Sequence, residues 1–178
     1  MRDRQRLDLA LRLIRHEART FTIRQFTGLS DDRIRKLYRS YVLHDGARGV
    51  LRHRGKSPRQ AAFFFKHPEV TFHAAQLASL FLIYGLVDAA GGALESRYRG
   101  SLESGTLLCQ AYEAYLELHS PVSISFEHAW FLLLALARRD EVSVTRCEDC
   151  GGLRLCDLLA RRKQVCGNCH PEPFGRRH

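Results

Sequence analysis

The sequence predicts a mainly α-helical fold: an N-terminal helix-turn-helix-like region, a helical core and a small C-terminal ribbon built around four cysteines. Three observations predict it. Apolar residues recur at helical spacing from Leu7 to about Arg139. Glycine and serine punctuate that pattern where helices should stop and start. Two C-x2-C pairs, Cys147/Cys150 and Cys166/Cys169, close a chain of 178 residues. The expected segments are a basic helix-turn-helix-like region (1–57), a helical core (58–139) and a ribbon tail (140–178).

Leu7, Leu9, Leu11, Leu13 and Ile14, with Ala10 and Ala18, give an apolar stripe on a helix of about 14 residues whose other face is rich in arginine. A shorter segment runs from near Thr20 to Gly28, which can take the left-handed conformation a tight interhelical turn needs. Ser30 stands where an N-cap belongs. Asp31 and Asp32 occupy the following first turn, where the helix dipole favours negative charge. Ile34, Leu37, Tyr38 and Tyr41 follow at helical spacing. From His44 to Pro58 the chain holds Gly46, Gly49, Gly55 and Pro58 and reads as a basic loop or linker.

The middle is helical by pattern. Thr71–Tyr84 is strongly apolar, with Gly85 and the Gly91–Gly92 pair as breaks. Thr106–His119 carries Leu107, Leu108, Ala111, Tyr112, Tyr115 and Leu118 on one side, and Pro121 ends it. Ser125 caps the next helix, which runs through Trp130 to about Arg139. It is apolar nearly all round, as a central core helix should be. Val142–Val144 alternates with polar residues and suits a strand entering the tail.

Hydrophobic residues make up 45% and charged residues 26%, so the chain is globular. Its formal net charge of +9 is unevenly spread. Residues 1–60 hold 16 basic and 6 acidic side chains, residues 61–137 hold 3 and 7, and residues 138–178 hold 9 and 6. Such segregation favours a polyanionic partner, nucleic acid above all, over the solvated basic face of an ordinary enzyme. The amphipathic N-terminus lacks the apolar core of a signal peptide. The longest apolar runs, Leu80–Val87 and Ala129–Ala137, fall short of the ~20 residues that cross a bilayer. A cytoplasmic protein without a membrane partner is expected, and its six cysteines should be thiolate ligands or buried thiols rather than disulfides.

Two C-x2-C pairs separated by fifteen residues match a structural zinc site, one ion per chain. A two-residue gap lets both thiolates of a turn face one ion. Gly151 and Gly167 supply backbone freedom, and the excursion between the pairs is long enough to return as a hairpin. Four thiolates at Cys147, Cys150, Cys166 and Cys169 would close the coordination sphere, so such a site holds a fold and does not catalyse. Iron also fits four sulfurs, although zinc suits a closed site without an electron-transfer context. Cys166-x-x-Cys169-His170 matches the haem-attachment string but leaves Cys147 and Cys150 unexplained, and a thioredoxin-like pair would need a βαβ setting. Cys109 reads as a buried hydrophobe, and Cys156 should pack inside the hairpin.

Thr20–Arg39 has the length and breaks of a helix-turn-helix, with Gly28 at its ninth position and Ile23, Leu29, Ile34 and Leu37 as its apolar positions. Its fifth position, normally small, is Arg24. Arg33, Arg35, Lys36 and Arg39 fall on the exposed side, with Arg52, Arg54 and Arg59 beyond. These seven are the candidate DNA contacts, suited to phosphates and guanine edges. Asp31 and Asp32 would oppose phosphates if this helix entered a groove by its N-terminus; it could instead pack on a partner. No phosphate loop or nucleophile elbow is present, and His73 and His128 read as hydrogen-bonded core histidines, so no enzyme is expected.

The string Leu29-Ser-x-x-Arg33-Ile-x-Lys36-Leu-Tyr38-Arg39 resembles the FlhC family of flagellar transcriptional activators. So does the Phe-rich element ahead of a helix near His73-Ala74, and so does the tail Val142–Cys169 with its Cys-x-x-Cys-Gly knuckle. The resemblance runs from roughly Leu7 to Cys169. It implies a bacterial activator subunit that pairs with FlhD in a hetero-oligomer, binds promoter DNA of flagellar (class II) operons and recruits RNA polymerase. It also implies Zn2+ on Cys147, Cys150, Cys166 and Cys169. Competing readings are a zinc-stabilised protein–protein adaptor, a divergent regulator of non-flagellar genes, and an enzyme with a four-cysteine iron centre.

Overall fold

A computed structural model of the chain describes residues 2–44, 50, 53, 58–88, 100–160, 166 and 169. Among these, six α-helices precede one two-stranded sheet: α1 (Arg2–Arg15), α2 (Thr20–Thr27), α3 (Asp31–His44), α4 (Pro68–Ile83), α5 (Leu102–Leu118), α6 (Phe126–Arg138), β1 (Val142–Arg146) and β2 (Leu153–Asp157). A short 3-10 helix, Ala61–Phe65, leads into α4. The fold is mainly α, as expected.

The caps explain the boundaries. Gly28 ends α2 in the left-handed region (φ 67°), its N–H donating to the Arg24 carbonyl at 2.8 Å. The Arg33 N–H reaches the Ser30 hydroxyl at 3.4 Å, placing Ser30 at the start of α3. Two helices begin earlier than their apolar pattern suggested. Pro68 sits in the first turn of α4, where a missing N–H costs nothing. Ser101 and Ser104 cap α5 reciprocally, so it starts before Thr106. Gly85 (φ 67°) breaks the chain after α4, whereas Gly91 and Gly92 lie outside the described residues.

One buried cluster runs from Leu9 to Leu155 through all three expected segments. In α6 the side chains Phe126, Ala129, Trp130, Phe131, Leu132, Leu133, Ala135 and Leu136 are buried, which gives it the expected central place. α4 packs against α5, α6 and β2, while α1 touches α2, α3 and α5. Gly105 lets α5 lie close on α1 and α2: a Cβ there would stand 2.9 Å from Leu9 Cδ2 and 3.0 Å from Phe26 Cβ.

The hairpin departs from expectation. Among the described residues it forms across the first cysteine knuckle, with only β2 taken from the stretch between the two pairs. β1 and β2 pair antiparallel with Val144 opposite Leu155 and Ser143 opposite Cys156. Leu155 is the buried residue of β2, so side-chain alternation turns Cys156 to the other face. There it is half-buried, 3.3 Å from Thr145 Oγ1, rather than packed inside.

Candidate metal centre and nucleic-acid interface

β1 delivers the chain into a tight knuckle. The Gly151 N–H donates to the Cys147 carbonyl, and the Cys147 N–H donates to the Gly152 carbonyl, both at 2.9 Å. Gly151 adopts φ 68°, which a side chain would oppose. The turn brings Cys147 and Cys150 to the same place as Cys166 and Cys169, and all four sulfurs lie within 4.8 Å of one another. Gly167 and His170 lie outside the described residues.

The sulfur spacing tests whether a metal fits. Cys147 Sγ lies 3.6 Å from Cys169 Sγ, and Cys150 Sγ 3.8 Å from Cys166 Sγ. These are too long for a disulfide bond of about 2.05 Å. They match the edge of a tetrahedron with metal–sulfur bonds of about 2.3 Å, which is about 3.8 Å. Cys147 and Cys166 are buried, Cys169 is half-buried and Cys150 is exposed. Hydrogen bonds to Cys150 and Cys147 push the Cys169 thiol up, because clustered sulfurs resist losing several protons without a cation. The four cysteines can therefore hold one metal ion. Cys109 stands apart as a buried thiol, pushed up to about 12 by its apolar surroundings, and acts as a small hydrophobe.

At the other end, α2 and α3 form a helical hairpin. Thr27 Oγ1 donates to the Ile23 carbonyl at 2.7 Å and accepts the Leu29 N–H at 3.2 Å, fixing the turn. Ile23, Phe26, Leu29, Ile34 and Tyr38 are buried, and the Tyr38 hydroxyl donates to the Ala18 carbonyl at 2.8 Å. Arg24, at the position where a small residue is usual, faces solvent instead and meets Asp31 Oδ1 at 3.2 Å. Asp32 pairs with Arg35 at 3.1 Å.

Both acids of α3 thus have a basic partner. Arg33, Lys36 and Arg39 are exposed and have no acidic partner among the described residues. Spaced three apart, they fall within about 120° around the helix. Arg59 is also exposed, far along the chain from this helix, while Arg52 and Arg54 lie outside the described residues.

A polar junction that the sequence did not disclose fixes α1 to α5. Glu113 accepts hydrogen bonds from Arg12 Nε (2.7 Å) and Arg12 Nη2 and from His16 Nε2 (2.8 Å). These hydrogen bonds draw the Glu113 carboxyl below its ordinary value, the one from Arg12 first, while burial holds His16 below its own. A charged residue at a core-facing helical position was the available signal on both helices. His73 is buried with its Nδ1 2.7 Å from the Tyr115 hydroxyl, and His128 stacks on Phe63 at 3.9 Å. His73 is the hydrogen-bonded core histidine expected, whereas His128 is only half-buried and meets the Ser125 hydroxyl at 2.8 Å at the start of α6. No helix among the described residues is long and apolar enough to cross a membrane.

Comparison with known proteins covers the whole of this architecture. A family model described as flagellar transcriptional activator (FlhC) matches residues 1–177. The flagellar transcriptional regulator FlhC of Verminephrobacter eiseniae (strain EF01-2) is 28% identical over 176 residues, covering 96% of this chain and 84% of that protein. The protein of the same name from Cupriavidus metallidurans is 29% identical over 184 residues, covering 97% of this chain and 74% of its own. A hairpin of helices with a basic outer face, a helical core and a four-cysteine tail thus lie within one match. The chain belongs to the FlhC family of flagellar transcriptional activators, regulators rather than enzymes.

Proposed function

We propose that this regulator is a DNA-binding activator subunit that grips promoter DNA with the outer face of α3 and carries one Zn2+ on Cys147, Cys150, Cys166 and Cys169. The observation that carries the reading is the pairing on α3. Its acids are matched by Arg24 and Arg35, leaving Arg33, Lys36 and Arg39 to meet phosphates. Neither Asp31 nor Asp32 then presents an uncompensated charge to a groove. Arg59, Arg52 and Arg54 belong to the same basic region and extend the contact.

Zinc, when bound, supplies a closed tetrahedral crosslink that ties the tail to β1 and leaves no open position for chemistry. The chain's own part is to preset the sulfurs through the β1–β2 pairing and the Gly151 turn. In this reading residues 1–57, with Arg59 just beyond them, bind DNA, the rest of 58–139 forms the core and protein interface, and 140–178 form the metal ribbon. The subunit acts in the cytoplasm with an FlhD-like partner in a hetero-oligomer, recruiting RNA polymerase to flagellar class II operons.

The test is the salt dependence of binding to a flagellar promoter fragment. Each phosphate no longer neutralised by the protein flattens the slope of log K against log salt by about 0.9, so replacing Arg33, Lys36 and Arg39 by Ala should flatten it by about 2.7. Affinity and slope unchanged by the triple substitution would transfer the basic face to an acidic protein partner, the adaptor reading.

A further inference from the structure

The four cysteines of the metal centre differ in their access to solvent. Glu148 to Gly151, the tip of the first knuckle, are all exposed, Cys150 among them. Cys147 and Cys166 are buried and Cys169 is half-buried. Cys150 Sγ lies 3.8 Å from Cys166 Sγ, so the most open cysteine of the four stands beside a covered one of the second pair. A solvent-accessible thiolate poised next to another cysteine is the arrangement that carries oxidation through sulfenic acid to a disulfide. Metal coordination supplies the thiolate, because a coordinating thiol is deprotonated outright.

The other two cysteines each lack one requirement. Cys109 is buried, and burial above all pushes its thiol up to about 12, so it stays protonated at neutral pH. Cys156 is half-buried and has the Thr145 hydroxyl, not a sulfur, at 3.3 Å. Charge around the knuckle selects the oxidant. Glu148 and Asp149 immediately precede Cys150, while Arg146 is turned onto the Gly151 carbonyl at 3.2 Å. Four thiolates also carry more negative charge than one divalent ion cancels. An anionic reagent is therefore repelled at this tip and a neutral one is not.

We propose that Cys150 is an oxidative modification site, attacked by a neutral hydroperoxide and resolved by Cys166 into a Cys150–Cys166 disulfide. The Cys150 thiolate takes one OH of hydrogen peroxide as the O–O bond breaks, giving the sulfenic acid and hydroxide. The Cys166 thiolate then attacks the Cys150 sulfur, forms the S–S bond and expels a second hydroxide. The two sulfurs together lose an electron pair, peroxide gains it, and the hydroxides take up protons from the medium to become water. A disulfide of about 2.05 Å cannot span a tetrahedral edge of about 3.8 Å, so a set that offered four thiolates then offers two. Oxidation expels the ion and leaves a covalent crosslink between the two cysteine pairs in place of the metal one. The inference rests on the zinc reading above.

The experiment starts from full-length, zinc-loaded protein, its metal content measured first, and adds hydrogen peroxide in excess. Released zinc is read with a chromogenic chelator, and disulfides are mapped by mass spectrometry of peptides. Zinc should leave at the rate at which the Cys150–Cys166 disulfide appears, and reduction in the presence of zinc should restore the bound metal. C150H keeps a metal-binding set of three cysteines and one histidine without the oxidisable sulfur. It should retain zinc and release it at least about tenfold more slowly, whereas C169H, which keeps Cys150, should stay within about twofold of the parent rate. Should C150H fail to fold, disulfide mapping in the parent protein decides alone. A first disulfide elsewhere, oxidation of Cys156 with zinc retained, or C150H and C169H releasing zinc alike would overturn the proposal. Protein that holds zinc and resists peroxide would sink this inference alone; folded protein that never held the metal would sink the zinc reading and this one with it.

Discussion

Removing Glu113 should release α1 from α5 and with it the platform on which α2 and α3 rest. The carboxylate accepts two hydrogen bonds from the Arg12 guanidinium and one from His16. A charge-assisted hydrogen bond contributes about 1.5–3 kcal/mol when buried, and a fully exposed ion pair about 0–1 kcal/mol. The Arg12 and Glu113 side chains are 28% and 36% exposed, so solvent screens part of the interaction. Glu113→Ala should therefore cost about 2 kcal/mol, between those limits. Glu113→Gln keeps an acceptor but loses the charge, and should cost about half as much.

Urea unfolding reads both costs as a shift in midpoint at constant slope. The sign with pH follows from the Arg12 hydrogen bonds, which draw the Glu113 carboxyl below its ordinary value of 4.5. Its contribution is fully present above pH 4.5 and is lost as pH falls through the lower folded value. A loss under about 0.5 kcal/mol at neutral pH, or the same loss in an Arg12→Ala background, would refute the assignment of Glu113 as the bond between these helices.

Two further perturbations probe the core. Burial, followed by neighbouring His119, holds His73 below its ordinary value of 6.5, so the unfolded chain takes up a proton there before the folded one does. Stability should fall as pH drops below 6.5, with His16 and His128 contributing in the same direction, and His73→Gln should flatten part of the fall in urea melts taken across that range. Gly105→Ala gains helix propensity of about 1 kcal/mol but forces a methyl group against Phe26 Cβ, which the α2 backbone holds in place. Overpacking should win by about 1 kcal/mol, and a thermal midpoint unchanged or raised would show that α5 can move away from α2.

Much of this was legible in the sequence because it depended on local chemistry. Gly28 and Ser30 fix a turn through the conformational freedom of one residue and the hydroxyl of the other, and neither needs a distant partner. The cysteine pairs announce themselves by spacing, since two thiolates with two residues between them can share an ion wherever the chain returns. What stayed hidden depended on packing between segments far apart. Glu113 reads as one charge on an apolar helix until α1 is laid beside it. Glu127 reads as a favourable acid in the first turn of α6, and only the packing reveals that it is buried and holds the start of α2.

The hairpin shows the same division. Alternation identified β1, but the partner strand could not be placed, because pairing across the first knuckle and pairing within the long excursion leave the same local pattern. Once the register is known, the outward position of Cys156 follows from side-chain alternation alone.

The most direct measurement is the metal content and thiol count of the natively purified, folded protein. One zinc per chain should be found, with Cys147, Cys150, Cys166 and Cys169 shielded from a thiol reagent until a chelator removes the ion and four further thiols react. Folded protein without metal, and with those four thiols open to the reagent from the start, would contradict it.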